Sequence, residues 1–250
     1  MKRARLYFAL FLPLLCVTAT AQTQHDSAAI VINRYLSNLG YDSLNWQTVD
    51  IKSVITFSDG NDTIIMERRF AFPEYSFVKV SYKDEVLFGL YSDNTEFLQY
   101  DTARRSWDVT SESDYLKMLA GYDIRGPLWN WENMVTSAQY RGISTLEGNK
   151  VYRVAVSDPL RGDREYLFEK TSGNLFLTVE VPTERKNTVV QTPDVDWRAI
   201  HEYTPVGGFL FPTLESYQSK GVITIIASKI QLKPFNKTDF PRPETIHEYY

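Results

Sequence analysis

The spacing of apolar positions changes three times along this chain. In HDSAAIVINRYLSNLGY (25–41), Ala28, Ile32, Tyr35, Leu36 and Leu39 fall at i, i+4, i+7, i+8 and i+11, one face of an α-helix. Asp26 or Ser27 can cap its start, and Gly40 is placed to end it in the left-handed conformation. The pattern predicts a helix whose Ile32, Leu36 and Leu39 pack against a sheet.

Beyond it the period falls to two. DIKSVITFS (50–58), DTIIMERRFAF (62–72), EYSFVKVSY (74–82), EVLFGLY (85–91) and TEFLQY (95–100) read as strands joined by hairpin-short turns. A second series comprises QYRGIS (139–144), KVYRVAVS (150–157), REYLFE (164–169), NLFLTVEV (174–181), VDWRAIHEY (195–203), GFLFPTLESYQ (208–218) and VITIIASKIQL (222–232). Strands in hairpin order make a strongly curved antiparallel meander rather than a βαβ fold. Between the series, residues 111–135 return to helical spacing: Ser111 and Asp114 form a capping-box arrangement, and Tyr115, Leu116 and Leu119 an apolar face. Gly121, Gly126 and Pro127 then break the helix before Leu128, Trp129 and Trp131. An antiparallel sheet with one wet face needs its other face covered, and these two helical segments are the available covers. The expected fold is mainly β with a few helices: a curved antiparallel sheet wrapped around an N-terminal helix and an inserted helical lid.

The first 21 residues add a compartment. A basic start (Lys2, Arg3, Arg5), an apolar run over 6–17 and small Ala19 and Ala21 are in the order of a secretory signal cut after Ala21. The run is shorter than the roughly 20 residues that cross a bilayer as a helix. A lipoprotein signal would place a small residue before Cys16, where Leu15 stands. The expectation is therefore a cleaved signal over 1–21, one domain over 22–250, and a periplasmic protein without transmembrane span, cysteine or disulfide. The alternative is an envelope protein lipid-anchored through Cys16. Loss of the signal takes the formal charge from −4 to −7, which provides no footprint for nucleic acid.

Several stretches resemble the LolA-like periplasmic carriers that sort lipoproteins to the outer membrane. INRYLSNLG is similar to the family's leading helix. Pro73, the Ser92-Asp93-Asn94 turn and Phe97 to Tyr100 match its proline-initiated hairpin, and Gly173, Leu175, Tyr203, Gly208 and Pro212 match its distal strand pairs. Phe240 and Pro241 resemble its end. The resemblance implies an incomplete β-barrel with a concave apolar cavity closed by helices, binding lipid or lipoprotein acyl chains or an apolar peptide. It also implies an early-strand arginine that holds the lid, for which Arg68 and Arg69 are both candidates.

Signals for catalysis are missing. His25, His201 and His247 form no metal-ligand spacing, and no nucleophile elbow or phosphate loop occurs. The Asp194/Asp196 and Glu165/Glu169 pairs read as solvated strand faces. No catalytic residue, metal or cofactor is expected. Aromatic residues make up 14% of the chain, and their placement carries the functional signal. Leu116, Leu119, Leu128, Trp129 and Trp131 are the candidate lining of a hydrophobic-ligand site under a movable cover. Two readings follow: a non-catalytic carrier or sensor of lipid or acyl chains, or an envelope scaffold that binds a protein partner and fills its core with its own helices.

Overall fold

The structure, a computed structural model, describes residues 27–44, 47–58, 60, 62–159, 162–180 and 196–244. The signal segment, Cys16, His25, His247 and the Asp194 of one carboxylate pair lie outside them. Helix α1 covers 27–39. The first strand series is β1 (Gln47–Phe57), β2 (Thr63–Ala71), β3 (Tyr75–Tyr82), β4 (Glu85–Ser92), β5 (Phe97–Asp101) and β6 (Ser106–Val109). Then come α2 (Glu112–Leu119) and the single turn α3 (Trp131–Met134). The second series is β7 (Ser137–Leu146), β8 (Asn149–Asp158), β9 (Gly162–Glu169), β10 (Leu175–Glu180), β11 (Trp197–Val206), β12 (Phe209–Ser219) and β13 (Val222–Pro234).

These strands make one antiparallel sheet in the order β6-β5-β4-β3-β2-β1-β13-β12-β11-β10-β9-β8-β7, not closed into a barrel. Each series is a meander, and β13 ends beside β1, with Gln47 opposite Pro234 and Phe57 opposite Thr224. Local backbone chemistry explains the hairpins. Lys83-Asp84, Glu147-Gly148, Gly207-Gly208 and Lys220-Gly221 all have positive φ at both central positions. That is the type I′ turn, whose twist matches that of the flanking strands.

The contacts divide the chain into two compact units: Met1–Tyr35 with Glu132–Arg185, and Leu36–Trp131 with Lys186–Tyr250. In the first, Ala28, Ile32 and Tyr35 of α1 are buried, and the Tyr35 ring lies 5.5 Å from Phe168 of β9. Arg34 donates to the carbonyls of Lys170 (3.3 Å) and Thr171 (2.9 Å) in the β9–β10 turn.

The second unit holds β1–β6, β11–β13 and the 111–131 insertion. Its inner face, which carries the insertion, buries Val49, Ile51, Phe70, Val78 and Leu90, while Leu39 of α1 is also buried and Leu36 only half-buried. Its outer face departs from the expected wet surface. Ala71, Tyr91 and Leu98 are buried there beneath Phe240, with Tyr75, Phe77, Trp107 and Phe235 packed around them. Neighbouring residues such as Phe70 and Ala71, or Leu90 and Tyr91, are therefore both buried. The cause is the segment after β13, which folds back over β2–β5 and supplies the cover that strand alternation does not reveal.

Candidate functional site

The insertion begins as its sequence requires. The Ser111 hydroxyl accepts from the Asp114 backbone N–H (3.2 Å) and donates to the Asp114 carboxylate (2.8 Å), while Lys117 pairs with Asp114 one turn on (3.1 Å). Gly121 follows the helix end at Ala120. What fixes the rotation of α2 is Tyr115. It is 1% exposed, its hydroxyl lies 2.6 Å from Ser76 Oγ of β3, and its ring packs 5.1 Å from Phe97 of β5. Burial pushes the Tyr115 phenol up to about 12, against the lowering effect of the Ser76 hydrogen bond.

After the helix, Tyr122 stacks on Phe88 of β4, with ring centroids 4.9 Å apart. Arg125 then sits over the Phe72 ring at 4.2 Å and the Trp129 ring at 5.1 Å, while its guanidinium pairs with Asp123 at 2.6 Å. Tyr115, Tyr122 and Arg125 thus hold the insertion to the inner face. None of the three is marked as a site residue by the sequence pattern, although Tyr115 and Tyr122 are spaced by two helical turns.

The five lining candidates are not equivalent. Leu128 and Trp131 are buried (1% and 3% exposed), and Leu119 and Trp129 are half-buried. Leu116 is 52% exposed and turned away from the side that buries Tyr115. A two-turn helix presents only a narrow arc, and consecutive positions differ by about 100°, so burying Tyr115 exposes Leu116.

Arg68 and Arg69 are adjacent on β2 and therefore face opposite sides. Arg69 takes the outer face. It pairs with Asp50, donates to the Asp239 carbonyl and lies 5.9 Å from the Phe240 ring centroid. Lys233 joins this network through Asp50 (2.8 Å) and Asp239 (3.2 Å). Burial pulls the Asp50 carboxyl up, but hydrogen bonds from Lys233 and Arg69 outweigh it and hold the group below its ordinary value. Arg69 thus fastens the C-terminal segment, and beside it lies a groove of about 360 Å³ whose lining also includes Lys52, Glu67, Arg68, Phe77, Lys229 and Gln231.

Arg68 takes the inner face, the side of the insertion. The residue is half-buried, and among the described residues its guanidinium makes one side-chain hydrogen bond, from Nη2 to Ser53 Oγ at 3.3 Å. Ser53 Oγ is in turn 2.8 Å from Ser228 Oγ across the β1–β13 pair. Burial lowers the Arg68 pKa from its ordinary value; Glu215 and Tyr217 oppose that shift, and Arg198 adds to it. Glu215 is itself committed to an ion pair with Arg198.

His201 is exposed, with Nε2 2.7 Å from Ser216 Oγ. Among the described residues no group of three or more His, Cys, Asp or Glu is placed to hold a metal. Among them, too, no helix is long and apolar enough to cross a membrane.

No family model and no curated protein sequence matches the chain. Solved structures do. A LolA superfamily protein from Nitrosomonas europaea superposes with a TM-score of 0.58 at 10% identity, over 86% of this chain and 97% of that one. A DUF1329 family protein from Desulfovibrio piger gives 0.56 at 10% identity, with the same coverages. A domain described as an outer membrane lipoprotein-sorting protein, from Vibrio parahaemolyticus, gives 0.55 at 8% identity, over 88% of this chain and 97% of that one. The fold is LolA-like.

Proposed function

We propose that this is a cell-envelope protein, exported by cleavage after Ala21, that holds a hydrophobic ligand in a non-catalytic carrier or sensor role. The ligand is a lipid or the acyl chains of a lipoprotein. Its binding place is the inner face of the second unit beneath the 111–131 insertion, with Leu119, Leu128, Trp129 and Trp131 as the apolar lining. The observation that carries this reading is how the cover is attached. Within a LolA-like fold, the insertion is held by a hydroxyl pair, a ring stack and a cation–π sandwich, attachments that can open and reform. Apolar ligand binding requires no charged catalyst, since each buried CH₂ contributes about 0.8 kcal/mol.

A second reading rests on Leu128 and Trp131, which are already buried by protein atoms. It makes the segment permanent core and the protein an envelope scaffold for a protein partner. Solvent extraction of the mature protein, purified without detergent, separates the two by mass spectrometry. The carrier reading expects a bound acyl lipid near one per chain. Lipid-free protein that also fails to take up a fluorescent fatty acid would support the scaffold.

A further inference from the structure

We infer that Arg68, with Ser53 and Ser228, forms an anion-recognition subsite on the inner face, so that the ligand is an amphiphile with an acidic head rather than a neutral lipid. This rests on the hydrophobic-ligand reading above and adds the charge of the ligand's polar end.

The argument begins with unused hydrogen-bonding capacity. A guanidinium carries five N–H donors and cannot relieve its burial by losing a proton. Arg68 uses one of them on a protein side chain, over a long 3.3 Å, and its Nε is wholly buried without a partner. Buried donors are nearly always satisfied, and leaving one unmet is costly, the more so for a charged group. Among the described residues no carboxylate lies within ion-pair distance of Arg68, while every other inner-face charge around it is committed: Glu215 to Arg198, and Arg198 also over the Tyr217 ring at 5.5 Å. The local sum of Arg68, Arg198 and Glu215 is one net positive charge.

Geometry points the same way. Arg68 is half-buried, and the paired inner-face residues Ile51 and Val78 flank it on the neighbouring strands. Its strand neighbours on that face are the apolar Met66 and Phe70, and Val78 is directly opposite. The Ser53–Ser228 hydroxyl pair supplies two further groups that can reorient toward an oxyanion. Tyr122 of the insertion stacks on Phe88, which pairs with Val80, itself opposite Met66, the next inner-face residue before Arg68 on β2. A cation with unused donors, beside a pair of linked hydroxyls and set among apolar side chains, suits a carboxylate or phosphate at the end of an acyl chain.

Displacement of the neutral dye Nile red by dodecanoate, dodecanol and acetate, at a pH where the acid is ionised, tests this. The subsite predicts that dodecanoate competes at about tenfold lower concentration than dodecanol, and that acetate does not compete in the same range. Arg68→Met should bring dodecanoate to the dodecanol value without weakening dodecanol, and Arg68→Lys should restore much of the preference. Met in place of an unpaired buried charge costs little fold stability, and the wild-type comparison stands whether or not a variant folds. Equal competition by acid and alcohol would overturn the subsite and leave the hydrophobic-ligand reading intact. Competition by acetate alone would mean a free-anion site and would also overturn it. No uptake of dye, acid or alcohol would instead remove the hydrophobic-ligand reading itself.

Discussion

Replacing Tyr115 with Phe removes one oxygen from the contact that sets the rotation of α2. The hydroxyl lies 2.6 Å from Ser76 Oγ, and Tyr115 and Ser76 are 1% and 8% exposed, so water cannot readily replace the lost partner. A buried polar group left unpaired costs about 1–3 kcal/mol, whereas a satisfied neutral hydrogen bond contributes only about 1 kcal/mol net. The single variant Tyr115→Phe should therefore be destabilised by about 1–3 kcal/mol. Removing both partners, in Ser76→Ala/Tyr115→Phe, should recover part of that loss. In urea titrations followed by circular dichroism, the single change should move the midpoint by a few tenths of a molar or more at unchanged slope. The double-mutant cycle should give a coupling of about 1 kcal/mol. A Tyr115→Phe variant as stable as the parent, or a cycle with no coupling, would refute the claim that this pair anchors the insertion.

Three further outcomes follow. Tyr91 and Tyr115, both pushed up to about 12 by burial, stay protonated in the fold while the unfolded chain loses their protons near 10. Stability should therefore be full below pH 10 and fall between 10 and 12, by up to about 1.4 kcal/mol per pH unit for each group, and Tyr115→Phe should shallow that fall in alkaline melts. Gly89→Ala would bring a Cβ within 2.4 Å of the Trp107 indole, so the ring must shift, at a cost of about 1–3 kcal/mol and a change in tryptophan emission. Leu39→Ala, at a 1% exposed position, should cost about 2–5 kcal/mol, while Leu116→Ala, at a 52% exposed one, should stay within about 0.5 kcal/mol in the same melts.

Much of the architecture was legible because short-range rules decide it. Dipeptides such as Gly207-Gly208 and Lys220-Gly221 make the turns, period-two runs make the strands, and the Ser111 cap starts α2 where the spacing places it. β6 was not read, since four residues, SWDV, are too short a run for periodicity to register. The cover on the outer face was hidden for a different reason. Phe235 and Phe240 lie in a segment without period, and their burial depends on Arg69, Asp50 and Lys233, which the chain brings together only in three dimensions. The choice between Arg68 and Arg69 was equally closed to the sequence. Alternation puts them on opposite faces, but both following residues, Phe70 and Ala71, are apolar, so neither side is marked as inner. At the candidate site the segment was found and its rotation was not. Tyr115, Leu116 and Leu119 all fit an apolar arc, and the partner that selects Tyr115 is Ser76, a serine on a strand 39 residues earlier.

Photolabelling by a diazirine fatty acid, with the labelled residues mapped by mass spectrometry, bears most directly on the claim that a hydrophobic ligand sits beneath the insertion. The account predicts labels within residues 119–131, at Leu119, Trp129 and their neighbours, and on inner-face residues of β2–β4 such as Val78 and Phe88. It predicts that excess unlabelled fatty acid suppresses them. Labels confined to the outer groove around Phe77 and Lys229, or no label that unlabelled fatty acid can suppress, would contradict it.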